Sequence, residues 1–441
     1  MPEGDDDLTF VSKDLMTESE PPGYPEGGVE SWLVVLGAWC AMVPSMGFLN
    51  TLAVLHAWIS GHDLQDVPES TIGWIASTYG FFLYFCGAQV GPIFDSHDVK
   101  FLLIPGSIGI IASTMFLSLS TGLNPAPGHL CPWQRWPRPE FYQYLLSFGV
   151  LGGISASLLF NPSISCVGHW FMKRRSLATG IACTAGGIGG IAFPLIVLYA
   201  APTIGFPWAI RIIGFLNTVM CVLACLLLRK RLPHNKHAGA AIDLKALRDL
   251  KFGVTTVAVF LIEFAVFIPY TYISSYAIYA GLAQHKAYLL NTLLNVGAIP
   301  GRALPGYVAD RFGPFNVMCI TSAICSVFTL GLWLNSGTSK AAIMSFTILY
   351  GFWSGAAISL TPVCIGQVCQ TEDYGKRSGT AFFVASFGAL VGVPIAGAIL
   401  QAGSGSYQGL ILFDGCMYIA ATGAFCTARI VSGGWGIKTV I

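Results

Sequence analysis

Two ionisable residues stand inside apolar runs of this chain, where charge is expensive enough that function is its default explanation. Arg302 precedes Asp310 by eight residues in GRALPGYVAD, which puts it roughly 12 Å up a helix at 1.5 Å per residue. Glu263, in FLIEFAVFIPYTYISSYAI, is similarly deep. Opposite charges on neighbouring helices can neutralise each other and simply hold a bundle together. A buried carboxyl group can also take up and release a proton, which makes Glu263 a proton-coupling candidate; helix packing or cavity lining would need no titration. Polar groups also cluster at helix breakers. Asn161 and Ser163 flank Pro162, Tyr270 and Tyr272 follow Pro269, and Thr361 precedes Pro362. Broken helices free backbone groups that can face a cavity, so these residues are candidate linings, although core packing accounts for them too. Arg211 and Asp414 fall near helix ends, where snorkelling to the interface explains them, and His169 with Trp170 reads as an interface pair. There is no HExxH, no Gly-x-Ser-x-Gly and no paired catalytic carboxylates, so an enzyme is not expected and no metal or organic cofactor is implied.

Positioning such residues requires membrane spans, and the composition supplies them. Hydrophobic residues make up 54% of 441 positions and charged residues 10%, against about 25% charged in soluble chains; mean hydropathy is +0.66. The fold class this dictates is an all-α membrane protein. Twelve apolar runs reach the length that a bilayer core of about 30 Å demands. They lie near 31–57, 71–93, 101–120, 140–164, 176–200, 207–229, 253–280, 287–309, 314–335, 340–368, 378–403 and 406–430. Residues 1–30 are polar and acidic, with Asp5, Asp6 and Asp7 in a row, and read as a disordered tail and not a signal peptide. With the N-terminus inside, cytoplasmic segments hold 17 of the 23 Lys and Arg and outer loops hold four, so both termini are expected in the cytoplasm. Lys173, Arg174 and Arg175 mark one such boundary, and the glycines that follow let neighbouring helices approach closely. A net charge of +1 without a basic face excludes nucleic acid as a partner. The thirteen cysteines form no CxxC pair and read as small buried apolar residues in a reduced setting.

The chain divides six plus six. A basic loop, 230–252, separates an N-terminal half, 31–229, from a C-terminal half, 253–430, which is followed by a short tail, 431–441. The halves resemble each other. Gly91 and Asp95 recur as Gly306 and Asp310, offset by 215, while Arg175, Ser176, Gly186 and Gly190 recur as Arg377, Ser378, Gly388 and Gly392, offset by 202. The pattern is a parallel six-helix repeat. The offsets differ by 13, which places an insertion in the Pro-rich outer loop 122–140. A lid, an insertion without function and a gene-model artefact each account for that loop.

GRALPGYVADRFG, residues 301–313, resembles the loop signature of the major facilitator superfamily, and GPIFDSHDVK, residues 91–100, a degraded first copy. PEGGVESWLVVLGAW, residues 25–39, together with WFMKRRSLATGIA, residues 170–182, is similar to the monocarboxylate-porter family, especially its fungal branch. The resemblance covers essentially all twelve spans. It implies a transporter whose two halves rock about a substrate site near the membrane centre. Asp310 and Arg311, at a helix end, can pair with neighbouring helix termini and lock one conformation. Asp95 is followed by Ser96, His97 and Asp98, with no Arg after it, so the lock of the first copy is expected to be weaker; Arg174 and Arg175 are also expected in the conformational lock. In the family resembled, the Arg at the position of Arg302 is implicated in binding the substrate carboxylate, a role carried over to Arg302 and suited to a guanidinium that donates two parallel hydrogen bonds.

Two positions depart from the proton-coupled animal members. Their first-helix Lys and the Asp one turn before the Arg align with Asn50 and Ala298 here, so the familiar proton relay is missing. Either Glu263 couples protons or transport is facilitated; Asn50 can hydrogen-bond a polar substrate group or another helix. The expected partner is a small anionic or aromatic molecule, with export of a secondary metabolite favoured over uptake of a monocarboxylate or vitamin-like nutrient. A nutrient receptor on the same fold would need a long cytoplasmic tail, which 431–441 does not supply. The expected unit is a monomer in the plasma membrane; an internal membrane would show the same spans.

Overall fold

The computed structural model describes residues 24–67, 69–120, 140–232 and 244–434. Most of the N-terminal tail, of loop 122–140 and of the C-terminal tail, and residues 233–243 of the central loop, lie outside the described residues. The described chain is helical because lipid offers backbone groups no partners, so each span must satisfy its own. Among the described residues, ten helices are long and apolar enough to cross a membrane. They are α1 (Val29–His62), α3 (Lys100–Ser120), α4 (Phe141–Trp170), α5 (Arg175–Ile204), α6 (Phe206–Leu227), α7 (Leu250–Tyr279), α9 (Pro314–Trp333), α10 (Lys340–Gln367), α11 (Tyr374–Ala402) and α12 (Tyr407–Gly433). The two other expected spans are present in altered form. The second, α2, is broken at Cys86 into Glu69–Phe85 and Gly87–Ser96, and the eighth, α8 (Gln284–Phe312), carries too many polar residues to read as apolar. Both pack on the opposite half as well as on their own, α2 against α11 and α8 against α5, and each still leaves some apolar side chains exposed, among them Trp74 and Leu304.

Several spans outrun their expected limits. Helix α1 continues to His62 and α4 to Trp170, and side chains near those ends take up carbonyls there, Gln65 that of Gly61 and Arg231 that of His169. Hydroxyls inside apolar helices turn back on their own carbonyls, as Thr51 does to Gly47 and Ser163 to Leu159, so they impose no buried penalty. Two connections need only one residue. Gly205 joins α5 to α6 at φ 88° and Gly313 joins α8 to α9 at φ 89°, values that side-chain-bearing residues rarely adopt. Within each half, small residues set the spacing: Gly47 of α1 meets Gly189 of α5, and Gly301 of α8 lies on the backbone of Phe352 in α10. None of the described cysteines is disulfide-bonded.

Candidate functional site

At the end of the bundle that carries the basic loops, the halves are tied by two carboxylates. Asp310 of α8 accepts hydrogen bonds from the Ser176 and Leu177 amides at the start of α5, at 2.9 and 3.0 Å. Asp95 of α2 does the same at the start of α11, accepting from Gly375 at 3.2 Å and Lys376 at 2.8 Å. The first helical turn leaves its amides without partners and carries positive potential, so a carboxylate is the fitting cap. Each cap joins one half to the other. The degraded copy therefore makes the same pair of amide bonds as the intact one. In place of the missing Arg, Lys230 of the central loop donates to the carbonyls of Phe94, Asp95 and His97. Partial burial lowers the Lys230 ammonium from its ordinary value, and Asp95 opposes the shift.

The arginines divide differently from expectation. Arg175 is buried, lies 4.2 Å over the Tyr374 ring and donates to the Gly366 carbonyl, so it belongs to the tie. Arg311 does not: it turns to Tyr307 on its own helix and stays exposed. Arg174 is likewise exposed, and only its backbone amide is engaged, by Glu26. Glu26 also accepts from the Met172 and Lys173 amides, while Tyr24 donates to Thr371 across the seam. Asp95→Ala would leave the amides of Gly375 and Lys376 unpaired, each a loss of roughly 1.5–3 kcal/mol for a bond to a charged group. The expected result is a bundle whose basic end opens more readily, read as a longer distance between labels on the basic ends of α4 and α10.

Above these ties, midway along the spans, the residues singled out by charge come together in part. Arg302 is 1% exposed and donates to the Cys183 carbonyl of α5 in the other half at 2.8 Å, while its Nε has no partner. Its guanidinium lies against Gly186, and so does Asn50, whose amide donates to the Gly186 carbonyl at 2.7 Å. The Asn50 carbonyl in turn accepts from Asn291 of α8. Asn50 is thus next to Arg302, with one of its two amide hydrogens engaged in a helix contact. The Tyr270 hydroxyl faces Arg302 and Ser354 without completing a hydrogen bond. Ala298 packs on Gly355 of α10, where an added methyl group would meet the Ala298 backbone.

Arg302 and Glu263 do not pair as the sequence allowed. Glu263 instead accepts a hydrogen bond from Tyr84 of α2 at 3.2 Å. Tyr84 was invisible as a site residue because aromatic residues in an apolar span read as packing, yet it stands at the centre, with Glu263 and Arg302 both within electrostatic reach. Two other expected linings are engaged in bonds of their own. Tyr272 donates to the Val393 carbonyl of α11 within its own half, and Asn161 bonds back to Ser157 while packing on Gly87 of α2. Two supposed interface residues are buried. His169 is 2% exposed beside Phe94, because the last turn of α4 packs on α2. Asp414 is fully buried near Thr329 and the Tyr350–Tyr418 pair, because neighbouring Gly415 packs on Leu330 and turns that face of α12 inward. Arg211 reaches Ser118 and stacks on Trp208, as a helix-end residue can.

A central arginine, a central carboxyl group and paired caps, all joining two six-helix halves, form the arrangement on which comparison with known proteins bears. The family model of the Major Facilitator Superfamily matches residues 34–346 and 288–433. The chain belongs to that superfamily. Among its relatives, MFS transporter asaE of Aspergillus flavus is 34% identical over 96% of this chain and 92% of its own length. The aspyridones efflux protein apdF of Emericella nidulans is 32% identical over 98% and 84%. The riboflavin transporter MCH5 of Saccharomyces cerevisiae is 31% identical over 95% and 81%. Among solved structures, the human organic anion transporter MFSD10 superposes with a TM-score of 0.68 at 14% identity, covering 90% of this chain and all of that one, a likeness of fold alone.

Proposed function

We propose that this superfamily member exports a small organic acid or acidic secondary metabolite across the plasma membrane, as a monomer, by alternating access, and that it belongs to the monocarboxylate-porter branch. The basic end is read as cytoplasmic on the distribution of Lys and Arg. The observation that carries the substrate class is Arg302: a buried guanidinium with an unpartnered Nε is prepared to take a carboxylate in place of the Cys183 carbonyl. The mechanism follows from where the contacts lie. Ties at Asp95, Asp310 and Arg175 hold the cytoplasmic end shut, and their release must accompany opening toward the cytoplasm. Arg302, Tyr84 and Glu263 bridge the same seam at mid-depth, so a ligand that recruits Arg302 competes with the bonds between halves and is thereby coupled to their motion. Export is favoured by the efflux relatives and by the absence of the family's usual proton relay. The riboflavin-transporting relative supports a second reading, uptake of a vitamin-like nutrient.

The deciding experiment compares metabolites inside and outside cells that lack, carry or overproduce the protein. Export predicts a compound retained in cells lacking it; slower depletion of a medium component would establish uptake instead. Glu263 is the proposed proton carrier. Glu263→Gln keeps the Tyr84 bond sterically possible but cannot titrate, so the ratio of transport rates at about pH 5.5 and about pH 7.5, both above the ordinary glutamate value of about 4.3, should fall toward one. A pH ratio unchanged from the parent would remove Glu263 from that role.

A further inference from the structure

The centre contains an aromatic arrangement that the carboxylate site does not explain. Tyr84 of α2 and Phe382 of α11 stack with ring centroids 5.2 Å apart and planes within 10°. Phe160 of α4 stands edge-on to both, at 6.1 and 5.6 Å, and Phe267 of α7 stands edge-on to Tyr84 at 6.2 Å. Both stacked rings are almost completely buried, at 2% exposure each. The two rings belong to opposite halves. Opening of the basic end draws α2 from α11, so the stack must loosen and present two parallel aromatic faces in mid-membrane. Its polar edge is fixed as well, with the Tyr84 hydroxyl on Glu263 and Arg302 in electrostatic reach.

We propose that the Tyr84–Phe382 stack is a seat for a planar aromatic ring, and that the substrate is an aromatic carboxylic acid whose flat body slides between the two faces while its carboxylate meets Arg302. Parallel offset stacking is a favoured aromatic geometry, and edge-on rings around the gap set its width. A saturated ring of the same size is too thick for such a gap and gains no stacking. The inference rests on the carboxylate reading of Arg302 given above.

The test uses the purified full-length protein and three probes: benzoate, cyclohexanecarboxylate and toluene, each titrated while thermal stability is followed. The seat predicts that benzoate binds at least about tenfold more tightly than cyclohexanecarboxylate, its saturated counterpart of the same carbon count, and that toluene binds weakly. Phe382→Leu should remove that tenfold preference, the loss falling mainly on the aromatic carboxylate. Equal binding of the two carboxylates, no binding by any probe, or a preference that survives Phe382→Leu would overturn the seat. Arg302→Ala should weaken both carboxylates alike; if it weakens neither, the carboxylate reading fails, whatever the aromatic preference. A folded Phe382→Leu protein is recognised by an unaltered melting temperature without probe, and Phe382→Tyr, which keeps the ring, should retain the preference.

Discussion

Arg302→Ala is expected to abolish transport while leaving the protein folded and in the membrane. The guanidinium spans the seam between halves to reach the Cys183 carbonyl, and its Nε has no partner at all. A buried cation whose Nε lacks a partner carries a desolvation cost that its removal recovers, which offsets part of the packing lost on truncation. Loss of the substrate's charge partner is another matter. Truncating one side of a buried, hydrogen-bonded charge pair costs about 2–5 kcal/mol, or roughly 30-fold to several thousand-fold in affinity at 1.4 kcal/mol per tenfold. Arg302→Lys should fall between, since an ammonium keeps the charge but not the parallel donors. Transport assays with the substrate found by metabolite comparison, alongside melting of the purified variants, separate the two effects. Retained transport in Arg302→Ala would end the binding role.

Gly91→Ala should trap the carrier with its basic end open. A methyl group at Gly91 would overlap the Gly375 carbonyl of α11, and the same holds for Gly379 against the Gly87 carbonyl. These obstacles are backbone, which no rotamer change removes. Gly91 and Gly375 lie in different halves, so each half can still pack; what fails is their closure. Transport should drop by at least tenfold, and Cys183, buried beside Arg302, should become reactive toward an impermeant thiol reagent from the basic side in a protein where it is the sole cysteine. Gly301→Ala provides the contrast. Its methyl would meet the Phe352 backbone of the same half, so instability should replace trapping, seen as a lowered melting temperature. If Gly91→Ala leaves Cys183 protected, the seam at α2 and α11 is not what shuts that end.

Much of this protein could be read from its residues alone. Runs of apolar residues at bilayer length, basic loops and a repeated Gly–Asp spacing determined the all-helical class, the six-plus-six plan and the depth of Arg302 and Glu263, because those properties depend on composition and on distance along a helix. The repeat also pointed to Asp95 and Asp310 as paired elements. Direction around a helix was beyond it. Tyr272 and Tyr270 are two residues apart, yet one faces α11 in its own half and the other faces Arg302. Asp414 was placed at an interface and is buried; Arg311 was placed in a lock and is exposed. The partners of Glu263 and Arg302 come from α2 and α5, over a hundred residues away, and Tyr84 gave no sign of itself among other aromatic residues. Sequence determined which helices exist and how deep each charge sits, since hydrocarbon acts on every residue according to its own chemistry. Only the tertiary structure decided which side chains meet, since that follows from helix rotation and close approach at glycines, which many helices settle together.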